Sequence, residues 1–254
     1  MAVSLGFIVK YNLLRSKNFL IITIDGARLD RVKNSKVYNK RKSIFLSQCI
    51  TYGPHTIAAM HAIFSGSYGT RTGTNSYWST YKFKKDQFYT LTEYLKDSHY
   101  VTFADLHSEI VIPRQGFDQF LIYDQDEELI QRHSKLLEEI TEKHNDENFF
   151  LYLHYDKIHS SISESVLKVY TNFSKEYFEN SEKNNQQYDL LFHDSESYVD
   201  RILMKIEELG ILDETIVVIL SDHGISVGEK YGAVSYTHLR AHETREDLGW
   251  RVVL

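Results

Sequence analysis

A single cysteine, Cys49, excludes an internal disulfide framework and any Cys-rich zinc module. No stretch approaches the roughly 18–20 consecutive apolar residues of a membrane-spanning helix. The apolar stretch Val3–Val9 is short and carries neither a charged leader nor a cleavage-like site, so no signal peptide is read and a cytoplasmic location is the expectation. Strong positive charge is also missing. The 29 Lys and Arg residues face 35 Asp and Glu, giving a net charge of −6. That balance excludes the basic footprint of a nucleic-acid binder. An anionic substrate would need a local positive group instead, such as a metal. Only two prolines occur, Pro54 and Pro113, and no internal repeat or interdomain linker is visible. What is present is 254 residues, 42% hydrophobic and 25% charged. This is the make-up of a folded protein with one large α/β domain or two small ones.

Apolar runs alternate with helical patterns. Asn18–Ile24 (NFLIITI) is a continuous β-branched run that stops at Asp25-Gly26, a strand followed by a turn. Ser47–Thr51 reads as a weaker strand, broken by Gly53-Pro54, and Thr56–Phe64 as a helix. Leu91–Lys96 reads as a short helix, Tyr100–Ala104 as a strand and Phe117–Tyr123 as another. Asp126–His144 is an amphipathic helix with Leu129, Leu136, Leu137 and Ile140 on one side. Asn148–Tyr155 is a buried-type strand. Ile162–Gln187 is polar and reads as a surface excursion. Tyr188–Leu209 is a long helix closed by Gly210, and Thr215–Leu220 (TIVVIL) is the most strand-like segment. Strands alternating with helices imply an α/β fold, a mostly parallel sheet with helices on both faces. Ligands in such sheets sit beyond the carboxyl ends of the strands. Three of those ends carry metal-competent side chains: Asp25, the Asp156/His159 pair and Asp222-His223.

Each of these has an ordinary structural explanation as well as a chemical one. Asp25 alone is as well explained as a turn or cap residue. Asp222-His223-Gly224 offers two adjacent ligand types where the glycine lets the chain turn off its strand. Thr56 opens a helix, where a hydroxyl usually caps. The same spot favours an anion through backbone N–H groups and the helix dipole, and a metal beside it would make the hydroxyl a nucleophile.

Taken together, four ordered blocks resemble the alkaline phosphatase superfamily in its sulfatase-like branch of hydrolases and transferases. They are Ile21-Ile-Thr-Ile-Asp25-Gly26-Ala-Arg28; Thr56-Ile-Ala-Ala-Met-His-Ala-Ile-Phe-Ser-Gly66 with the following Ser-Tyr-Gly-Thr-Arg-Thr-Gly73; Asn148-Phe-Phe-Leu-Tyr-Leu-His154-Tyr-Asp156-Lys-Ile-His159; and Asp213-Glu-Thr215-Ile-Val-Val-Ile-Leu-Ser-Asp222-His223-Gly224 with Gly228-Glu229-Lys230. The resemblance implies an alkaline-phosphatase/sulfatase-like fold and a metal-dependent attack on a phosphate or sulfate ester. It implies that Asp25, Thr56, Asp222 and His223 hold one divalent metal and that Thr56 is also the nucleophile. Asp156 and His159 fall where relatives supply a second metal or contact the substrate. His154 is a weaker candidate. Asn75 and Lys230 fall near positions that touch the transferred anion. A histidine among the ligands suits Mn²⁺ or Zn²⁺ better than Ca²⁺ or Mg²⁺. The partner implied is an anionic small-molecule or glycan ester, with no nucleic acid and no membrane span.

The chain departs from the resemblance in two places. A cysteine-type sulfatase needs Cys-x-Pro/Ala-x-Arg for conversion to formylglycine. Here Cys49 precedes Ile-Thr-Tyr-Gly and Thr56 precedes Ile-Ala-Ala-Met. The pattern therefore points to the Thr-nucleophile branch. A true sulfuric-ester hydrolase, or an inactive member that binds anionic glycans, stands as the alternative. A phosphoglycerate-mutase-like isomerase needs a large insertion after Gly66 for which there is no room. The second departure is the tail. Residues 1–232 read as a partial catalytic domain, incomplete at the C-terminus. Residues 233–254 lack the family's further Glu and His, and SYTHLRAHETREDL resembles translated adapter sequence, so the tail is expected to be foreign to the domain.

Overall fold

A computed structural model describes residues 17–35, 37, 43–46, 49–75, 82–169, 172–173, 175–228 and 250–253. Strand β1 (Asn18–Ile24) leads into a short helix α1 (Leu29–Asn34), and β2 (Ser43–Leu46) follows. Helices α2 (Thr56–Ser65), α3 (Gly69–Thr72) and α4 (Leu91–Asp97) precede β3 (Val101–Leu106) and β4 (Gln119–Ile122). Then come α5 (Leu129–Lys143), β5 (Phe149–Tyr155), α6 (Lys157–Val166), the small pair β6 (Leu167–Val169) and β7 (Asn172–Phe173), α7 (Lys175–Glu179), α8 (Ser181–Glu208), β8 (Thr215–Leu220) and β9 (Trp250–Val253). The main sheet has the order β2-β9-β8-β1-β5-β3-β4. Strands β8, β1, β5, β3 and β4 run parallel, and β9 and β2 are antiparallel additions at one edge.

The strands follow from their side chains. A β-branched run buried on both faces cannot remain solvated and fits the centre of a parallel sheet. Alternate residues of β1 enter different cores. Leu20, Ile22 and Ile24 pack with Leu151, Leu153, the apolar stripe of α5 and the buried face of α8. Ile21 packs with Phe150, Tyr152, Leu220 and Met60 and Phe64 of α2. The sheet therefore lies between two helical layers, as the alternation predicts. Parallel strands place their carboxyl ends together, so the residues after β1, β3, β5 and β8 meet at one rim of the sheet.

The structure alters several sequence-based bounds. The edge strand is Ser43–Leu46, and Cys49–Thr51 carry no strand. Its register is fixed by pairing with the distant β9 (Ser43 to Val253, Leu46 to Trp250), which local sequence cannot specify. The stretch expected as an irregular excursion holds α6, α7 and the first turns of α8, which starts at Ser181 rather than at Tyr188. Strand β3 continues past Ala104 to Leu106. Gly210 closes α8 with φ +73° and its N–H on the Glu207 carbonyl. Of the tail, residues 233–249 lie outside the described residues, and Trp250–Val253 pair between β8 and β2. Among the described residues no helix is long and apolar enough to cross a membrane.

Candidate active site

Asp25 extends the ladder by one bond beyond β1, its N–H reaching the Tyr155 carbonyl at 2.9 Å. The chain then turns through Gly26 at φ +80°, a conformation that favours glycine. The carboxylate stays buried at the sheet rim and forms the hub of the site. Oδ2 lies 3.1 Å from Thr56 Oγ1 and 3.3 Å from His154 Nε2. Oδ1 lies 2.9 Å from His159 Nδ1 and 3.3 Å from His223 Nε2.

Thr56 is the first residue of α2. The residue before it, His55, caps the helix by accepting the Ala58 N–H on Nδ1 at 3.3 Å. The threonine hydroxyl is thereby freed from capping and sits between Asp25 and His223, with Nε2 of His223 at 3.2 Å. His223 is buried, and its Nδ1 is 2.8 Å from the Gly224 carbonyl. Carbonyls only accept, so Nδ1 carries the proton and Nε2 presents a lone pair to the site. Asp222 beside it is fully buried, with its Oδ2 3.4 Å from His223 Nε2.

The electrostatics follow from this crowding. Burial alone would raise the Asp25 carboxyl, but the charge of His159 and the hydrogen bonds of His154 and His159 hold it well below the usual carboxylate range. Burial first, and the Asp25 charge second, push Asp222 up. Burial opposes charge on His159, yet the Asp25 carboxylate outweighs it and raises that imidazole. Two buried carboxylates in one pocket repel unless protons or a cation lie between them. The donor set fits a divalent cation on those grounds. Asp25, His159 and His223 offer ligand atoms within 4.8 Å of one another. The buried Asp222 carboxylate and the Thr56 hydroxyl adjoin them. Carboxylate, hydroxyl and imidazole donors together suit a divalent metal ion.

The structure thus brings together Asp25, Thr56, Asp222, His223 and His159. Asp156 is buried just after β5, where its Oδ1 accepts from the Tyr123 hydroxyl at 3.1 Å. His154 projects from the last turn of the pleat beside Tyr152, whose hydroxyl is 2.8 Å from its Nδ1, and its other nitrogen faces Asp25. Asn75 is exposed two residues past Gly73, the C-cap of α3. Lys230 lies outside the described residues. Sequence reasoning missed His107. It follows the carboxyl end of β3, its ring is 4.9 Å from that of His154, and its buried Nδ1 has no hydrogen-bond partner. Burial and the neighbouring His154 lower its pKa to about 4. The usable signal is a histidine directly after a strand, hidden because the polar Asp105 reads as the strand's end.

Comparison with known proteins adds to this geometry. The Sulfatase family model matches residues 17–254. No curated protein sequence matches the chain. Among solved structures, the lipoteichoic acid synthase LtaP from Listeria monocytogenes is similar with a TM-score of 0.65 at 16% identity, covering 93% of this chain and 65% of that one. A 2-O GAG sulfatase gives 0.65 at 15% identity, covering 94% and 64%. The C-terminal periplasmic domain of the phosphoethanolamine transferase EptC from Campylobacter jejuni gives 0.61 at 17%, covering 94% and 79%. At such identities the likeness shows the fold. The chain spans under two thirds of the length of the first two.

Proposed function

The chain belongs to the sulfatase family, and from that premise we propose that it catalyses metal-dependent hydrolysis or transfer of a phosphate ester, with Thr56 as the nucleophile. The observation that carries this reading is the placement of Thr56 Oγ1, 3.1 Å from Asp25 and 3.2 Å from His223, at the start of a helix and beside the buried Asp222 carboxylate. Asp25, Thr56, Asp222 and His223 would hold the cation. When bound, such an ion lowers the pKa of the hydroxyl it touches and draws charge from the ester oxygens.

The protein's own groups do the rest. The Asp25 carboxylate lies at hydrogen-bond distance to receive the Thr56 proton and orients its oxygen. The first turn of α2 points its N–H dipoles at the transferred anion. Thr56 Oγ attacks phosphorus in line, a new O–P bond forms, and the bond to the leaving alcohol breaks. His159, whose pKa is raised by Asp25, is a proton donor in the same cluster for the departing oxygen. Water or an acceptor alcohol then displaces the Thr56 ester and restores the hydroxyl. Asp156, Asn75 and Lys230 are the remaining candidates for substrate contact.

Phosphorus is favoured over sulfur because neither Cys49 nor Thr56 sits in a formylglycine motif. The test is an activity panel of aryl phosphate, aryl phosphodiester and aryl sulfate with Mn²⁺ or Zn²⁺. Turnover of a phosphate ester is expected in the wild type. Thr56→Ala is expected to lower it at least about a thousandfold, as loss of a nucleophile does, with the fold retained. Full activity in Thr56→Ala refutes the assignment.

A further inference from the structure

Three of the site's groups ride on two loops that belong to different strands. Asp25 precedes the turn Gly26–Arg28 after β1, while Asp222 and His223 begin the loop after β8. Neither loop is regular structure, so something must fix the distance between them.

Helix α8 and one arginine supply the connections. The hydroxyl of Tyr188, a fully buried residue of α8, donates to the Gly26 carbonyl at 2.8 Å and accepts the Arg28 N–H at 2.8 Å. One oxygen thus closes the turn that carries Asp25 and satisfies two backbone groups that burial would otherwise leave exposed to loss. The Arg28 side chain then crosses to the second loop, where Nη1 donates to the Ile225 carbonyl at 3.0 Å. Its guanidinium is aimed by a two-point fork on Asp30, with Nε to Oδ1 and Nη2 to Oδ2 both at 3.2 Å. One turn earlier on α8, Asn184 Nδ2 donates to the Val227 carbonyl at 3.2 Å. Tyr177, just ahead of the helix, donates its hydroxyl to the Ser226 carbonyl at 2.9 Å. Both loops are therefore held to one rigid helix and to each other, within three residues of Asp25 and four of His223.

We propose that Tyr188 and Arg28 are positioning residues that set the spacing between Asp25 and the Asp222-His223 pair, and so the affinity of the site for its cation. This role rests on the metal reading given above. Supporting groups of this kind change metal affinity about 10–100-fold when removed.

Calorimetric titration of the full chain with Mn²⁺ and with Zn²⁺ alone provides the test. Tyr188→Phe keeps the ring, which stacks on Phe192 at 6.4 Å and 14°, and removes only the hydroxyl. It is expected to raise the metal Kd about 10–100-fold. Arg28→Met, which removes the bridge to Ile225, is expected to do the same. Tyr198→Phe is the matched control. Tyr198 is also a buried phenol of α8, but its hydroxyl bonds His133 Nδ1 at 2.7 Å, away from both loops. It is expected to lower thermal stability while leaving Kd within about threefold. A Kd unchanged in Tyr188→Phe, or raised equally in Tyr198→Phe, overturns the positioning role while leaving the metal site intact. A wild-type chain that binds neither ion overturns the metal reading itself, and this role with it.

Discussion

Replacing Asp222 by asparagine should stabilise the metal-free chain and, in the same molecule, abolish its response to metal. The reasoning starts from a carboxylate that is fully buried, is poorly compensated, its closest ion-pair partner being His223 Nε2 at 3.4 Å, and faces a second carboxylate, Asp25. A buried polar group left unsatisfied costs about 1–3 kcal/mol, more when it is charged. Asparagine keeps the shape and removes the charge, so Asp222→Asn should gain roughly that amount when no cation is present. For a chain of this size 1 kcal/mol moves Tm by about 2–4 °C, which gives a rise of about 2–12 °C in EDTA. With metal at about a thousand times its Kd, the wild type gains about 4 kcal/mol by mass action, or about 8–16 °C by the same scaling. Asp222→Asn should lose most of that shift. The pH dependence has a defined sign. The folded-state pKa of Asp222 is raised, so stability owed to its neutral form is present at low pH and is lost as pH rises through that pKa. The advantage of Asp222→Asn in EDTA should therefore widen with rising pH. Thermal unfolding followed by circular dichroism, with EDTA and with Mn²⁺, measures all of this. A variant less stable than the wild type in EDTA, or one that keeps the full metal shift, refutes the reasoning.

Three further outcomes follow from single features. Burial lowers His61 and His107 to about 4 and His133 to about 3, so each enters the fold neutral. The unfolded chain binds their protons below about pH 6.5, so stability should fall by about 1.4 kcal/mol per pH unit for each of them between those limits; a urea midpoint unchanged from pH 7 to pH 5 in EDTA would contradict this. His133→Leu removes the bond between its ring and the Tyr198 hydroxyl and should cost about 0.5–1.5 kcal/mol in urea unfolding without changing metal affinity. Gly26→Ala meets only ordinary contacts, Ile158 at 3.7 Å and Ile225 at 3.8 Å, so its cost should be the backbone's alone at φ +80°, about 1–2 kcal/mol, read as a Tm lower by about 2–8 °C.

The parts of the fold that were legible in sequence are those in which local composition and tertiary demand agree. NFLIITI is buried on both faces and TIVVIL is buried on one and half-buried on the other, which a continuous β-branched run can satisfy only in the middle of a sheet. Asp25 and Asp222-His223 were legible for the same reason, because a polar group directly after such a run must lie at the carboxyl rim. Legibility failed where a polar residue has a buried role. Asp105 near the end of β3 reads as the end of the strand. In the fold it points at α5, where Arg132 Nε meets it at 2.7 Å, so the strand continues and delivers His107 to the rim. The start of α8 failed likewise. Its Asn and Ser content reads as surface, while Asn184 is buried because its amide holds the Val227 carbonyl.

These two failures share a cause that bears on the site. Single-sequence reasoning treats a polar side chain as solvated unless it has a chemical role, and it divides residues into core and chemistry. The rim of this sheet contains a third class, buried polar groups whose partners are backbone carbonyls or the far side of another polar group. Tyr123 illustrates it. Its hydroxyl is 2.7 Å from the His154 carbonyl and 3.1 Å from Asp156 Oδ1, so it ties the end of β5 to the acid that follows it. An aromatic residue in a weak strand gave no hint of that. Such groups must be satisfied within the protein because water cannot reach them. Their geometry is therefore as constrained as that of the ligands they support, although no motif of spacing marks them. The hub at Asp25 depends on both kinds. Its side chain meets Thr56 and three histidines that motif reasoning or strand ends can find, while its backbone turn depends on a tyrosine more than 160 residues away in the chain, visible only once the helix is in place.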